Sequence, residues 1–130
     1  MPKDYKLYLN DILESAGKIE NYSKNISYED FIKNPLLVDG VIRNLQIIGE
    51  AAKKVPAGIK RKYSNVEWKK IAGLRDVLIH EYFRINLKIV WDIVCNKIPE
   101  LKSAIKQIVK ENEKERKLFG MEQSYSSLFH

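Results

Sequence analysis

The chain predicts an all-α fold, an antiparallel helical bundle of four to five helices. Three observations carry this reading. Apolar residues recur every three or four positions in long stripes, Ser, Asn and Pro stand where those stripes begin or break, and no strand-like segment survives the helical periodicity. The first stripe runs through Tyr5, Tyr8, Leu9, Ile12, Ala16 and Ile19. It predicts a helix of about six turns with Asp4 as N-cap, ending between Tyr22 and Asn25. Ser27 with Asp30 three residues on makes a capping box for one short turn holding Phe31 and Ile32, which Asn34 and Pro35 break.

The next stripe, Val38, Val41, Ile42, Leu45, Ile48, Ala52 and Val55, is the most regular in the first half and predicts a core helix closed by Pro56 and Gly58. Ile59 to Tyr63 is basic and reads as a loop. Ser64 with Glu67 offers a second capping box ahead of Val66, Trp68, Ile71 and Ala72, in a short helix expected to stop at Gly73. Leu74 to Tyr82 is a separate amphipathic stretch with Arg75, Asp76, His80 and Glu81 among its apolar residues. The last long helix starts near Asn86, and Leu87, Trp91, Val94, Ile98, Leu101, Ile105 and Ile108 form a bundle seam that Pro99 kinks or restarts. Residues 1–110 are thus expected to form the bundle. Residues 111–130, charged from Glu111 to Lys117 and Ser-rich after Gly120, are expected to be a frayed extension.

Composition narrows the function. The chain has 130 residues, which fits one domain, and 23 Lys and Arg against 17 Asp and Glu give a formal charge of +6. That surface favours polyanions, nucleic acid among them. Cys95 is the only cysteine, so no disulfide can form within the chain, and a buried thiol in a reducing, cytoplasmic setting is the expectation. The N-terminus lacks the apolar run of a signal peptide, and no window approaches the roughly 18 apolar residues of a membrane span. With two histidines and no Glu-x-x-His pair, no metal site is expected. Gly49, Gly58 and Gly73 stand singly, which excludes a phosphate-binding glycine loop, and the signature of a serine triad is absent.

What remains is Arg75 and His80, five apart, with Asp76 between them. On a helix Asp76 and His80 share a face, while Arg75 lies about 140° from His80, a gap that an arginine's length partly bridges. Histidine exchanges protons near neutrality and a guanidinium grips phosphate oxygens, so the pair suits attack of a ribose 2′-hydroxyl on its own phosphate without metal or other cofactor. The same spacing also fits a helix-end histidine beside a surface arginine. Tyr63 and Trp68 read as packing residues rather than base-stacking platforms.

Trp68 to His80 and Tyr82, preceded by Ile42, Arg43, Asn44, Leu45, Gln46, Ile47, Ile48, Gly49, Glu50, Ala51 and Ala52, resembles the HepT-like toxin family of the HEPN superfamily, once catalogued as a domain of unknown function. Val90, Trp91, Ile93, Val94, Ile98, Pro99 and Leu101 resemble it too, so the likeness covers roughly residues 5 to 110. The resemblance implies a helical bundle that dimerises with two motif copies facing one cleft. It implies an RNA-cleaving toxin in which Arg75 and His80 are catalytic and Asp76 is an orienting partner. It also implies that Tyr82 accepts AMP from a partner antitoxin, a minimal nucleotidyltransferase. The competing reading is a non-catalytic adaptor or nucleotide-binding module that partners a nucleotidyltransferase through the same residues.

Overall fold

A computed structural model describes the backbone of residues 5–80 and 85–128, with the side chains of residues 5–78 and 85–120. Among the described residues every regular element is helical, so the all-α class holds. Four long helical stretches dominate: α1 (Tyr5–Ser23), α3 (Pro35–Lys54), α5 (Trp68–His80) and the run of α6 (Leu87–Asp92), a π turn (Ile93–Lys97) and α7 (Ile98–Leu128). Two short helices, α2 (Tyr28–Ile32) and α4 (Ala57–Lys62), turn the corners.

Local chemistry sets most boundaries. The expected Asp4 cap lies outside the described residues. α1 closes where Asn25 takes the left-handed φ of 59°, a conformation asparagine tolerates better than most side chains. The Ser27–Asp30 box is formed in both directions: Asp30 N–H donates to Ser27 Oγ at 3.1 Å, and Ser27 N–H donates to Asp30 Oδ2 at 3.2 Å. Asn34 caps α3, its Oδ1 accepting from Leu37 N–H at 3.2 Å, with Pro35 in the first turn where its missing N–H costs no hydrogen bond.

Three expectations need correction. Residues 57–62 are a helix, because Pro56 enters in extended conformation, Ile59 is 1% exposed and anchors the turn, and Lys60, Arg61 and Lys62 stand at its negative end. The Ser64–Glu67 box is absent. Residues 63–66 form a turn instead, closed by Val66 N–H donating to Tyr63 O at 3.1 Å, and the Trp68 indole donates to the same carbonyl at 3.0 Å. Finally, α5 does not stop at Gly73. A glycine ends a helix by taking positive φ, and no described glycine does so, so α5 continues as one helix through the motif.

Pro99 restarts the last helix by way of the π turn. Ile98 N–H reaches back five residues to Ile93 O, the wider ring of a π bulge, just before the proline that has no N–H to give. Cys95 falls on this turn and is exposed, contrary to the expected buried thiol. Beyond the seam the backbone of α7 stays helical to Leu128.

Side-chain contacts fix the helix directions. Gly40, early in α3, faces the Tyr22 ring late in α1, while Lys54 at the end of α3 sits over the Tyr8 ring early in α1, so the two run antiparallel. Lys102 and Glu20 pair at 2.9 Å, bringing the start of α7 to the end of α1. The core between these helices holds Leu9, Ile12, Ile19, Leu45, Ile48, Ile105 and Ile108, each 2% exposed or less. Phe31 seals one end against Trp91, with ring centroids 5.0 Å apart.

Truncating such a core residue should leave a cavity. Leu45→Ala is expected to lose about 2–5 kcal/mol of stability. Leu36→Ala, at a side chain 83% exposed, should change it by about 0.5 kcal/mol or less. Urea denaturation of both variants checks the contrast, and equal losses would contradict the packing described.

Candidate active site

The motif residues ride on α5, and α5 is held by α3. The two helices approach closely at Gly49: a Cβ built there would lie 3.0 Å from the Arg75 Cβ, the Arg75 backbone nitrogen and the Ile71 carbonyl oxygen. Such distances are tighter than ordinary van der Waals contact, and two of the three atoms are backbone. Glycine is therefore what lets the helices meet with Arg75 at the contact. The sequence reading treated Gly49 as a scattered glycine. Its available signal was a glycine inside a strongly apolar helical stripe, which marks close backbone approach.

Arg75 leaves this contact with its side chain 35% exposed. Its Nη1 lies 3.6 Å from Asp76 Oδ1, and the Asp76 side chain is 62% exposed, so the pair is a loose surface contact that leaves donors free for another anion. The backbone of His80 is in the last turn of α5, five residues and about 7.5 Å of rise beyond Arg75. The imidazole of His80 lies outside the described residues, as does all of Tyr82.

The start of α5 is equally defined. Glu67 precedes the first helical residue, its carbonyl accepts from Ile71 N–H at 3.0 Å, and its carboxylate pairs with Lys70 at 3.0 Å. The hydrogen bond and charge of Lys70 hold the Glu67 carboxyl below its ordinary value of 4.5. A depressed carboxylate supports the fold above its unfolded pKa and loses that support as pH falls through the folded value, so the start of α5 weakens on the acid side. The side chain is exposed, which keeps this effect small.

Other chemistry is poorly served. Burial first, and then Asp92, push the Cys95 thiol above its usual range, so it is not an activated thiolate. Among the described residues no group of three His, Cys, Asp or Glu side chains could hold a metal. No described helix is long and apolar enough to cross a membrane. Tyr63 and Trp68 are 9% and 6% exposed, as expected of packing residues. On the core side of α5, a cleft of about 220 Å³ opens against the π turn and α7, lined by Ile48, Val66, Ile71, Leu74, Ile98 and Leu101 among others.

Comparison with known proteins places this arrangement. The ribonuclease HepT-like family matches residues 12–108, which contain α3, Gly49 and the whole motif helix. The chain belongs to that family. The resemblance read from residues 42–52 and 68–82 therefore holds at the level of the family. Among individual relatives, the "probable ribonuclease HepT" of Thermococcus cleftensis is 38% identical over 110 residues, covering 85% of this chain and 100% of that protein. A candidate RNase of Caldanaerobacter subterraneus is 44% identical over 106 residues, covering 82% of this chain and 95% of that one. A third relative, named a gamma-glutamylcyclotransferase and candidate RNase, from Methanocaldococcus jannaschii, is 44% identical over 116 residues. Those residues are 89% of this chain but 52% of that protein, so this HepT-like chain spans about half of its length. No solved structure matches at a significant level.

The two mid-helix glycines should respond oppositely to a methyl group. Gly49→Ala forces a contact into backbone and is expected to cost about 1–3 kcal/mol. Gly73, with nothing within 4 Å of its Cβ position, should gain up to about 1 kcal/mol as alanine. Thermal or urea unfolding of the two variants checks the sign, and a stabilised Gly49→Ala would show that α3 and α5 are not in contact there.

Proposed function

We propose that this HepT-like chain is a metal-independent endoribonuclease, the toxin of a toxin–antitoxin pair, acting through Arg75 and His80 as a homodimer. The observation that carries the reading is the placement of Arg75: its Cβ stands where α5 meets Gly49, its side chain is 35% exposed, and it lies within the family match alongside His80. The ribonuclease names of the relatives support the same class of substrate.

The reaction that suits these residues is transfer of a phosphoryl group within the RNA strand. His80 takes the proton from a ribose 2′-hydroxyl, whose oxygen attacks the adjacent phosphorus. Arg75 holds the non-bridging oxygens as negative charge builds on them, a role that a fork of fixed donors fills well. The bond from phosphorus to the 5′-oxygen breaks, and that oxygen takes up a proton. One product end is then a 2′,3′-cyclic phosphate and the other a 5′-hydroxyl. Asp76, whose Oδ1 lies 3.6 Å from Arg75 Nη1, is proposed as an orienting partner that tightens on the guanidinium when RNA binds.

Tyr82 follows His80 by two residues in the sequence and is proposed as the acceptor of AMP from a minimal nucleotidyltransferase antitoxin. A bulky anionic adduct on the segment that carries the motif would compete with the RNA phosphate for the Arg75 donors, which gives the modification a physical logic.

The test is a labelled RNA pool incubated with the full chain in EDTA. Cleavage by the parent to cyclic phosphate ends is expected. His80→Ala should abolish it while RNA binding persists, and Arg75→Ala should slow it about 10²–10³-fold. Intact RNA with a dimeric parent free of AMP would instead favour the non-catalytic adaptor. Tyr82→Phe should take up no AMP from the antitoxin, and a variant that is still modified would refute that assignment.

A further inference from the structure

The contact at Gly49 divides the seam between α3 and α5 into two sides of opposite character. On the inner side Ile48, Ile71 and Leu74 face α7 across the apolar cleft. On the outer side, at 100° per residue, Lys53 lies about 40° around α3 from Gly49, away from Ile48. On α5, Lys69 lies about 120° around from Arg75, on the flank opposite Leu74. Both lysines are exposed.

Their charges are also unspent. Among the described residues Lys54, Lys62 and Lys70 are paired with Glu50, Glu115 and Glu67, whereas neither Lys53 nor Lys69 has a carboxylate within 4.0 Å. Lys60 adds to them: its ammonium donates to the Lys53 carbonyl at 3.3 Å, which brings a further cation to the same end of the seam. Gly73, on α5 between Lys69 and Asp76, has open space among the described residues where a side chain would stand, about 160° around the helix from Arg75.

We propose that this outer seam is the track of the RNA backbone, with Lys53 and Lys69 as positioning residues that hold the phosphates of nucleotides flanking the cut. The track rests on the ribonuclease reading. Lys53 stands four residues, about 6 Å along the axis, from Gly49, and Lys69 six residues, about 9 Å, from Arg75, so one strand of a few nucleotides reaches all three cations. Asp76 lies beyond Arg75 on the opposite end from these lysines, which sets the polyanion on the N-terminal half of α5. Contacts to phosphate carry affinity without base preference, so the track predicts tight binding that is indifferent to flanking sequence.

Binding and turnover separate the track from the chemistry. In the His80→Ala protein, Lys53→Ala and Lys69→Ala should each weaken binding of a long single-stranded RNA uniformly across sequences. Each should also reduce the slope of log affinity against log salt by about 1, with arginine at either position restoring it. In the catalytic background the same changes should raise KM for that RNA while kcat is retained. An unchanged salt slope in the double variant overturns the track, even if the parent cleaves RNA. So does a double variant that keeps the slope but becomes monomeric by light scattering, because the seam would then be a surface between two copies. A parent that binds RNA with the lysine-dependent slope yet never cleaves it would defeat the ribonuclease reading and leave the track standing.

Discussion

The site of this protein depends on one steric constraint, the absence of a side chain at position 49. Two helices cross so closely there that a Cβ would meet its neighbours at 3.0 Å, tighter than ordinary contact, and the residue on the other side is Arg75. Cores are close-packed and transmit displacement, so an added methyl at this point requires Arg75 and the Ile71 carbonyl to give way by a few tenths of an ångström. The helical bundle is therefore more than a scaffold near the site, because the packing of α3 sets where the guanidinium begins.

Around that contact the molecule keeps its apolar and polar work apart. The core-facing sides of α3 and α5, with Ile48, Ile71 and Leu74, look toward α7, and Trp68 ties the start of α5 to the α4 turn through the Tyr63 carbonyl. The opposite flank carries Lys53, Lys69 and Asp76 into solvent. Arg75 begins at the Gly49 contact and keeps 35% of its side chain exposed, which is the geometry that the proposed anion recognition calls for. Local charge pairing adds little stability, since the pairs Lys18–Glu14, Lys54–Glu50 and Lys70–Glu67 are exposed.

Much of the fold was legible because helix signals are local. The stripes of α1, α3 and α7, the Ser27–Asp30 box and the start of the last helical run near Asn86 are written in residues close in sequence, and each stands in the structure as read; Asn34 and Pro35, read as a break, also cap and open α3. The misreadings were also local, but decided elsewhere. Residues 57–62 looked like a basic loop until Ile59 found the core. Ser64 had the right spacing for a cap, but the Trp68 indole and the Val66 amide both claimed the Tyr63 carbonyl, which fixed a turn in its place. Gly73 resembled a stop, although a glycine ends a helix only when its backbone turns left-handed.

By itself the sequence determined the all-α class, the basic character and the family, since periodicity, composition and the blocks at residues 42–52 and 68–82 are properties of the chain in order. It also carried Arg75, Asp76, His80 and Tyr82 as candidates, because their spacing is written along one segment. Only the tertiary structure decided that Gly49 faces Arg75, that α5 runs unbroken through the motif, and that Cys95 is exposed on a π turn. The reason is physical: a helix is specified by residues three and four apart, whereas which faces meet depends on packing between segments more than twenty residues apart, which no local pattern encodes.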